Sequence, residues 1–206
     1  MAISYPLSLP ASPGVRAVAL SARRVVAMTA SPTTGQQQVQ AHPGQWWSAQ
    51  VALPPMVRAD AEAWLSFLLK LDGRFGTFLL GDPAAPTPRG VATGTPLVNG
   101  ASQAGNQLVT DGWTVSTTGI LKAGDYIQLG TGTSTRLHKV LDDANSDGGG
   151  NATLTIWPNL RTSPADDDPI TVSNAKGTFR LAQNEMPWEV DEALIYSVAF
   201  EAVEAI

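Results

Sequence analysis

The side chains able to do acid–base, nucleophilic or metal chemistry are few and scattered. The 206 residues hold two histidines, His42 and His138, and no cysteine. A thiolate metal site and a disulfide framework are both excluded. A histidine-based metal site would need carboxylates to complete it, and no HxxE or HExxH spacing is present. His138 lies in Arg136-Leu137-His138-Lys139-Val140, where strand alternation turns it away from Leu137 and predicts a solvent-facing imidazole.

The run from Asp142 to Asn151 has Asp and Asn spacing that faintly matches a calcium loop. It lacks the terminal glutamate and the preceding apolar position such a loop uses. Asp, Asn and Gly are turn formers, so it reads as a hairpin loop, and Asp166-Asp167-Asp168 between Pro164 and Pro169 reads as a solvated one. There is no GxSxG, Walker A or GxGxxG sequence. Two carboxylates from distant parts of a chain can form a hydrolase pair, but here the acids cluster in loops and near the C-terminus without a landmark. The expectation is a protein that is not an enzyme, with no cofactor and no resident metal.

Composition narrows the partners. Charged residues are 15% of the chain, well under the usual quarter, while 43% are hydrophobic. Such a surface suits a protein packed against other subunits. A net charge of −5, with no basic run longer than Arg23-Arg24, excludes a dedicated nucleic-acid stripe. The start, Met1 to Pro6, has no basic segment leading into an apolar run, and nothing approaches the roughly 18 apolar residues of a spanning helix. Assembly in the cytoplasm without membrane insertion is expected.

The elements that must position these groups are mostly strands. Val15 to Met28 is strand-like, Ser31 to Gln38 reads as a hairpin or loop, and Trp47, Ala49, Val51 and Leu53 share one face of a following strand. Asp60 to Leu71 puts Trp64, Phe67, Leu68 and Leu71 on one helical face, with Ala61 extending it and Gly73 as C-cap. Arg74 to Gly81 is a strand. Short strands are predicted at Gln107–Val109, Trp113–Ser116, Asp125–Leu129, Arg136–Leu141, Ala152–Trp157 and Ile170–Val172, as in a small β-barrel or sandwich. Glu189 to Ile206 alternates as one long half-buried strand. Trp46, Trp47 and Trp64 are expected in an outer core, Trp113 and Trp157 in an inner one, and Trp188 at the start of the last strand. An exposed aromatic pair would instead stack on sugars.

Gly76-Thr77-Phe78-Leu79-Leu80 returns as Gly177-Thr178-Phe179-Arg180-Leu181. A helix precedes the first copy and none precedes the second, so the two are not a duplicated unit. They read as the strands leaving and re-entering an outer domain, 1–83 and 177–206, with an inserted small β-domain at 84–176. The fold class expected is mainly β: a barrel or split barrel carrying one amphipathic α-helix, plus the insert. Deleting the insert should then leave the outer domain folded.

This order of a Trp-bearing strand, a single helix, the Gly76 to Pro83 segment, an inserted β-domain and a last strand ending in Phe200-Glu201-Ala202 resembles the distal tail proteins of long, flexible-tailed bacteriophages. The resemblance covers the outer domain. It implies a structural virion protein of the tail tip, a ring homo-oligomer, usually a hexamer, that joins the tail tube protein to the hub and adsorption proteins. DNA would pass through the lumen without specific binding. Alternatives are a receptor- or glycan-binding module, with a host surface glycan as the insert's partner, and a tail-tube protein; a cell-wall hydrolase ranks last. Sheet edges are natural joining surfaces, and the weakly charged strands with Ala49, Val51, Leu53, Leu194, Tyr196, Val198 and Phe200 are the interface candidates, unless both are internal to the barrel.

Overall fold

The computed structural model describes residues 3–206; Met1 and Ala2, where the N-terminal reading begins, lie outside them. The chain is mainly β, 43% strand and 8% helical, in two curled antiparallel sheets with one α-helix. Chain order is β1 (Ala17–Ala30), β2 (Gln37–Ala52), α1 (Arg58–Lys70), β3 (Phe78–Leu80), β4 (Gly94–Val98), β5 (Gly105–Trp113), β6 (Tyr126–Leu129), β7 (Arg136–Val140), β8 (Ala152–Leu160), β9 (Gly177–Leu181), β10 (Trp188–Val190) and β11 (Tyr196–Glu204).

The first sheet runs β1-β2-β11-β9-β3, with β10 on β11; the second runs β4-β5-β8-β7-β6. The repeated phrase is thus a strand pair: Phe78 lies opposite Phe179, and Leu80 opposite Gly177. Gly177 suits a tight crossing, since a Cβ there would lie 2.9 Å from Leu137 Cβ.

Helix α1 forms because its apolar positions recur at helical spacing and have a sheet to cover. Ala61, Trp64, Leu65, Phe67 and Leu68 face inward, with Asp60 in the first turn and Lys70 in the last, signs that suit the helix dipole. Phe67 meets Phe78 edge-on at 5.7 Å, Phe78 meets Phe200 at 6.0 Å, and Trp64 lies 6.3 Å from Phe200. Such pairs add about 0.5–1.5 kcal/mol each beyond their buried area.

The second sheet has a core of its own and also contributes to the first sheet's core. Tyr126 and Leu137, from β6 and β7, belong to the first sheet's core, and Trp157 packs against it. Trp47 donates Nε1–H to the Leu137 carbonyl at 2.9 Å and meets Trp157 edge-on at 4.5 Å. Arg161 forks onto the buried Glu204 carboxylate with two 2.8 Å bonds. Such cross-packing argues against the expectation that the outer strands would fold unchanged without 84–176.

Several local expectations are corrected. Glu189 to Ile206 is a hairpin: Asp191 accepts the Ile195 N–H on its side chain at 2.9 Å, and β10 turns back onto β11. The second sheet also holds a strand absent from the predicted set, β4, whose Leu97 and Val98 pair with β5. Trp113 ends β5 and starts no strand of its own, and Thr171 makes only an isolated bridge to Gln128.

Candidate subunit interface

The surface most open to another molecule begins where the first core ends. Hairpin β1–β2 is far longer than the sheet it joins. Its base pairs Ala17 with Ala52 and Ser21 with Ser48; a register shift between Arg24 and Val26 bends it; its far part pairs Val26 with Ala41 and Ala30 with Gln37. A bulge at such a point twists a strand away from its sheet. β11 covers β2 only from Ser48 to Ala52. Val25 at the bulge and Val26, Met28 and Val39 beyond it are exposed, the last two to 62%.

The interface candidates fall into two sets. Ala49, Val51, Leu53, Val198 and Phe200 are buried in the protomer's own core, and Tyr196 packs partly buried against it. Both backbone edges of β2 over Ser48–Ala52 are taken, by β1 and β11. These strands are internal, and the low charge that singled them out belongs to the core. Leu194 alone is exposed, to 72%, in the β10–β11 turn.

The free edges lie elsewhere. Among the described residues β1 pairs only with β2, leaving its outer edge open. β10 pairs only with β11. The Leu53 N–H and the paired Met56 and Tyr196 backbones occupy β11's other side, so β10 stands on the side away from β1. On the sheet face opposite the core, Ala17, Ala19, Gln50, Ala52, Ala199 and Glu201 floor a groove of about 480 Å³ under Met186 and Pro187.

The groups singled out for chemistry are occupied structurally. His138 is buried, not solvent-facing; its Nδ1 donates to the Pro158 carbonyl at 2.7 Å. Burial lowers its pKa from 6.5 to about 4, against a raising contribution from that hydrogen bond. Alternation misleads here because β7 is covered on both sides: Leu137 faces the first core and Val140 the second.

Asp147 accepts the Asn151 backbone N–H at 2.8 Å, the Asn151 side-chain amide and the Gly149 N–H at 2.8 Å, and these bonds, in that order, hold its carboxyl below the usual range. Asp143 accepts from the Ala123 N–H and Asn145 from the Gly119 N–H. The 142–151 loop therefore ties neighbouring turns together. Asp166 holds the Gly100 N–H in the same way.

The tryptophans divide differently from the expectation. Trp47, Trp64 and Trp113 are buried. Trp46 lies half-buried on the face away from the core, Trp157 belongs with the first core, and Trp188 is 45% exposed on β10.

Among the described residues no helix is long and apolar enough to cross a membrane. No protein-family model matches the chain, and no curated protein matches it.

Proposed function

We propose that this protein is a structural subunit of a phage tail tip, assembling into a ring that joins the tail tube to the host-adsorption hub and leaves a channel for DNA. The observation that carries the reading is the far half of the β1–β2 hairpin, two paired strands with apolar side chains and no covering layer. An isolated two-stranded hairpin is marginally stable in water, and contiguous exposed apolar surface marks an interaction site. A neighbouring subunit supplies the missing layer. Low charge and the element order that resembles distal tail proteins support the same assignment. The role is geometric, with no reaction, and the protein resides in the virion tail after assembly in the host cytoplasm.

Sedimentation and negative-stain imaging of the full chain, alone and with tube and hub proteins, test this. Closed rings of uniform size are expected. A chain that stays monomeric and binds neither kind of protein would overturn the reading.

A further inference from the structure

Two open edges of the first sheet carry opposite charge. From residue 3 through Val57 there is no aspartate or glutamate, and Arg16, Arg23 and Arg24 lie on or beside β1. From Gln183 to Ile206 there is no lysine or arginine, and Glu185, Glu189, Asp191, Glu192, Glu201 and Glu204 fall there. Glu204 is engaged by Arg161; the other five are exposed.

Among the described residues the ion pairs are Arg58–Glu62, Arg89–Asp125 and Arg161–Glu204. The three arginines on or beside β1 and the five exposed acids from Glu185 to Glu201 therefore have no ionic partner within the protomer. Each open edge also has apolar side chains beside it: Val26 and Met28 on β1, Trp188, Val190 and Leu194 on the hairpin. One sheet thus presents two different, mutually complementary open edges.

We infer that β1 and its hairpin in one copy dock on the β10–β11 hairpin of a second copy, with Arg16, Arg23 and Arg24 facing Glu189, Asp191 and Glu192. The inference rests on the ring reading and specifies its contact. A surface that meets a different surface makes a head-to-tail interface, which closes into a ring when the rotation permits. Strand edges supply backbone hydrogen bonds, and opposite charge fixes orientation while opposing pairing of two like ends. Contact of β1 with β1 would oppose arginines, and hairpin with hairpin would oppose carboxylates.

Two full-length reversal variants test it, with circular dichroism as the check on folding. Arg23→Glu/Arg24→Glu makes the first end acidic; Glu189→Lys/Glu192→Lys makes the second end basic. Each variant alone should associate at least about ten-fold more weakly than wild type. Mixed at equal amounts they should assemble again, because each reversed end then meets an unlike end of the other variant. Raising salt from about 0.05 to about 0.5 M should weaken the wild-type assembly and spare little of it.

Wild-type assembly with both variants unaffected would overturn this contact and leave the ring standing. Failure of the mixture to recover, with both variants folded, would also overturn it. A wild-type chain monomeric at low salt would remove self-association altogether, and this contact with it.

Discussion

The near and far halves of the β1–β2 hairpin are the same two strands in different surroundings. In the near half Trp47, Ala49 and Val51 point into a core lined by α1, β11 and the second sheet. In the far half Val39, Met28 and Val26 point into solvent. Backbone pairing continues through both, interrupted only at the bulge. The difference teaches that strand pairing here runs well past the core that supports it. Cover, not pairing, is what the far half lacks, and the proposed neighbouring copy would supply it.

The comparison can be broken most severely by removing what covers the near half. Joining Asp82 to Lys176 with a short linker deletes Tyr126, Leu137, Trp157 and Arg161 from their contacts with Trp47 and Glu204. We expect thermal unfolding at least about 10 °C below the intact chain, since more than about 3 kcal/mol of packing and ion pairing is lost. An unchanged melting temperature would show that the first sheet needs no cover from the second.

Phe200→Ala, in the strand that lies on the near half, should cost about 3–5 kcal/mol in urea unfolding, the usual range for a buried aromatic. Arg161→Ala should cost about 3 kcal/mol. It strands a buried carboxylate that keeps only the Trp47 N–H as donor, at 3.0 Å. The double change Arg161→Met/Glu204→Leu should recover part of that loss.

His138 gives a pH-dependent check on the layer beside the near half. Its folded pKa of about 4 lies below the ordinary 6.5, so the unfolded chain binds the extra proton between those values. The neutral imidazole's contribution is fully present above pH 6.5 and is lost as pH falls toward 4, by up to about 3 kcal/mol. His138→Gln should flatten that part of the wild-type stability profile; equal pH slopes in both proteins would contradict it.

The smallest effect on the protomer is expected in the far half. Met28→Ser and Val39→Ser should shift monomer stability by less than about 0.5 kcal/mol, as exposed positions do, while reducing assembly. A large loss of monomer stability would mean that the far half is already covered.

The sequence makes the local elements plain and hides what lies between them. The face of Trp64, Phe67, Leu68 and Leu71 is legible because a helix repeats every 3.6 residues and all four are buried. Trp47, Ala49, Val51 and Leu53 are legible by alternation for the same reason. His138 is not, because alternation assigns one wet face to a strand and β7 has none. Trp157 likewise reads as an insert residue, and only the contact between sheets brings it to Trp47.

The acids of Glu189 to Glu192 are visible in the chain, but their meaning needed the pairing that leaves the outer edges of β1 and β10 open. The interface strands chosen from low charge alone were core strands. Few charges describe a buried strand as well as a joining one.

The β3–β9 pair has a mechanical consequence. Leu80 and Gly177, where the chain leaves for the second sheet and returns, lie at the same end of this antiparallel pair. Tension on the second sheet would therefore peel that ladder open one hydrogen bond after another, the weakest way to load a strand pair. The Trp47–Leu137 bond and the Arg161–Glu204 fork bypass the ladder. Through them a pull on the second sheet also reaches β2 at Trp47 and β11 at Glu204, so the ladder does not bear it alone. Two lateral ties thus turn a hinge into a bracket able to pass force between the two sheets.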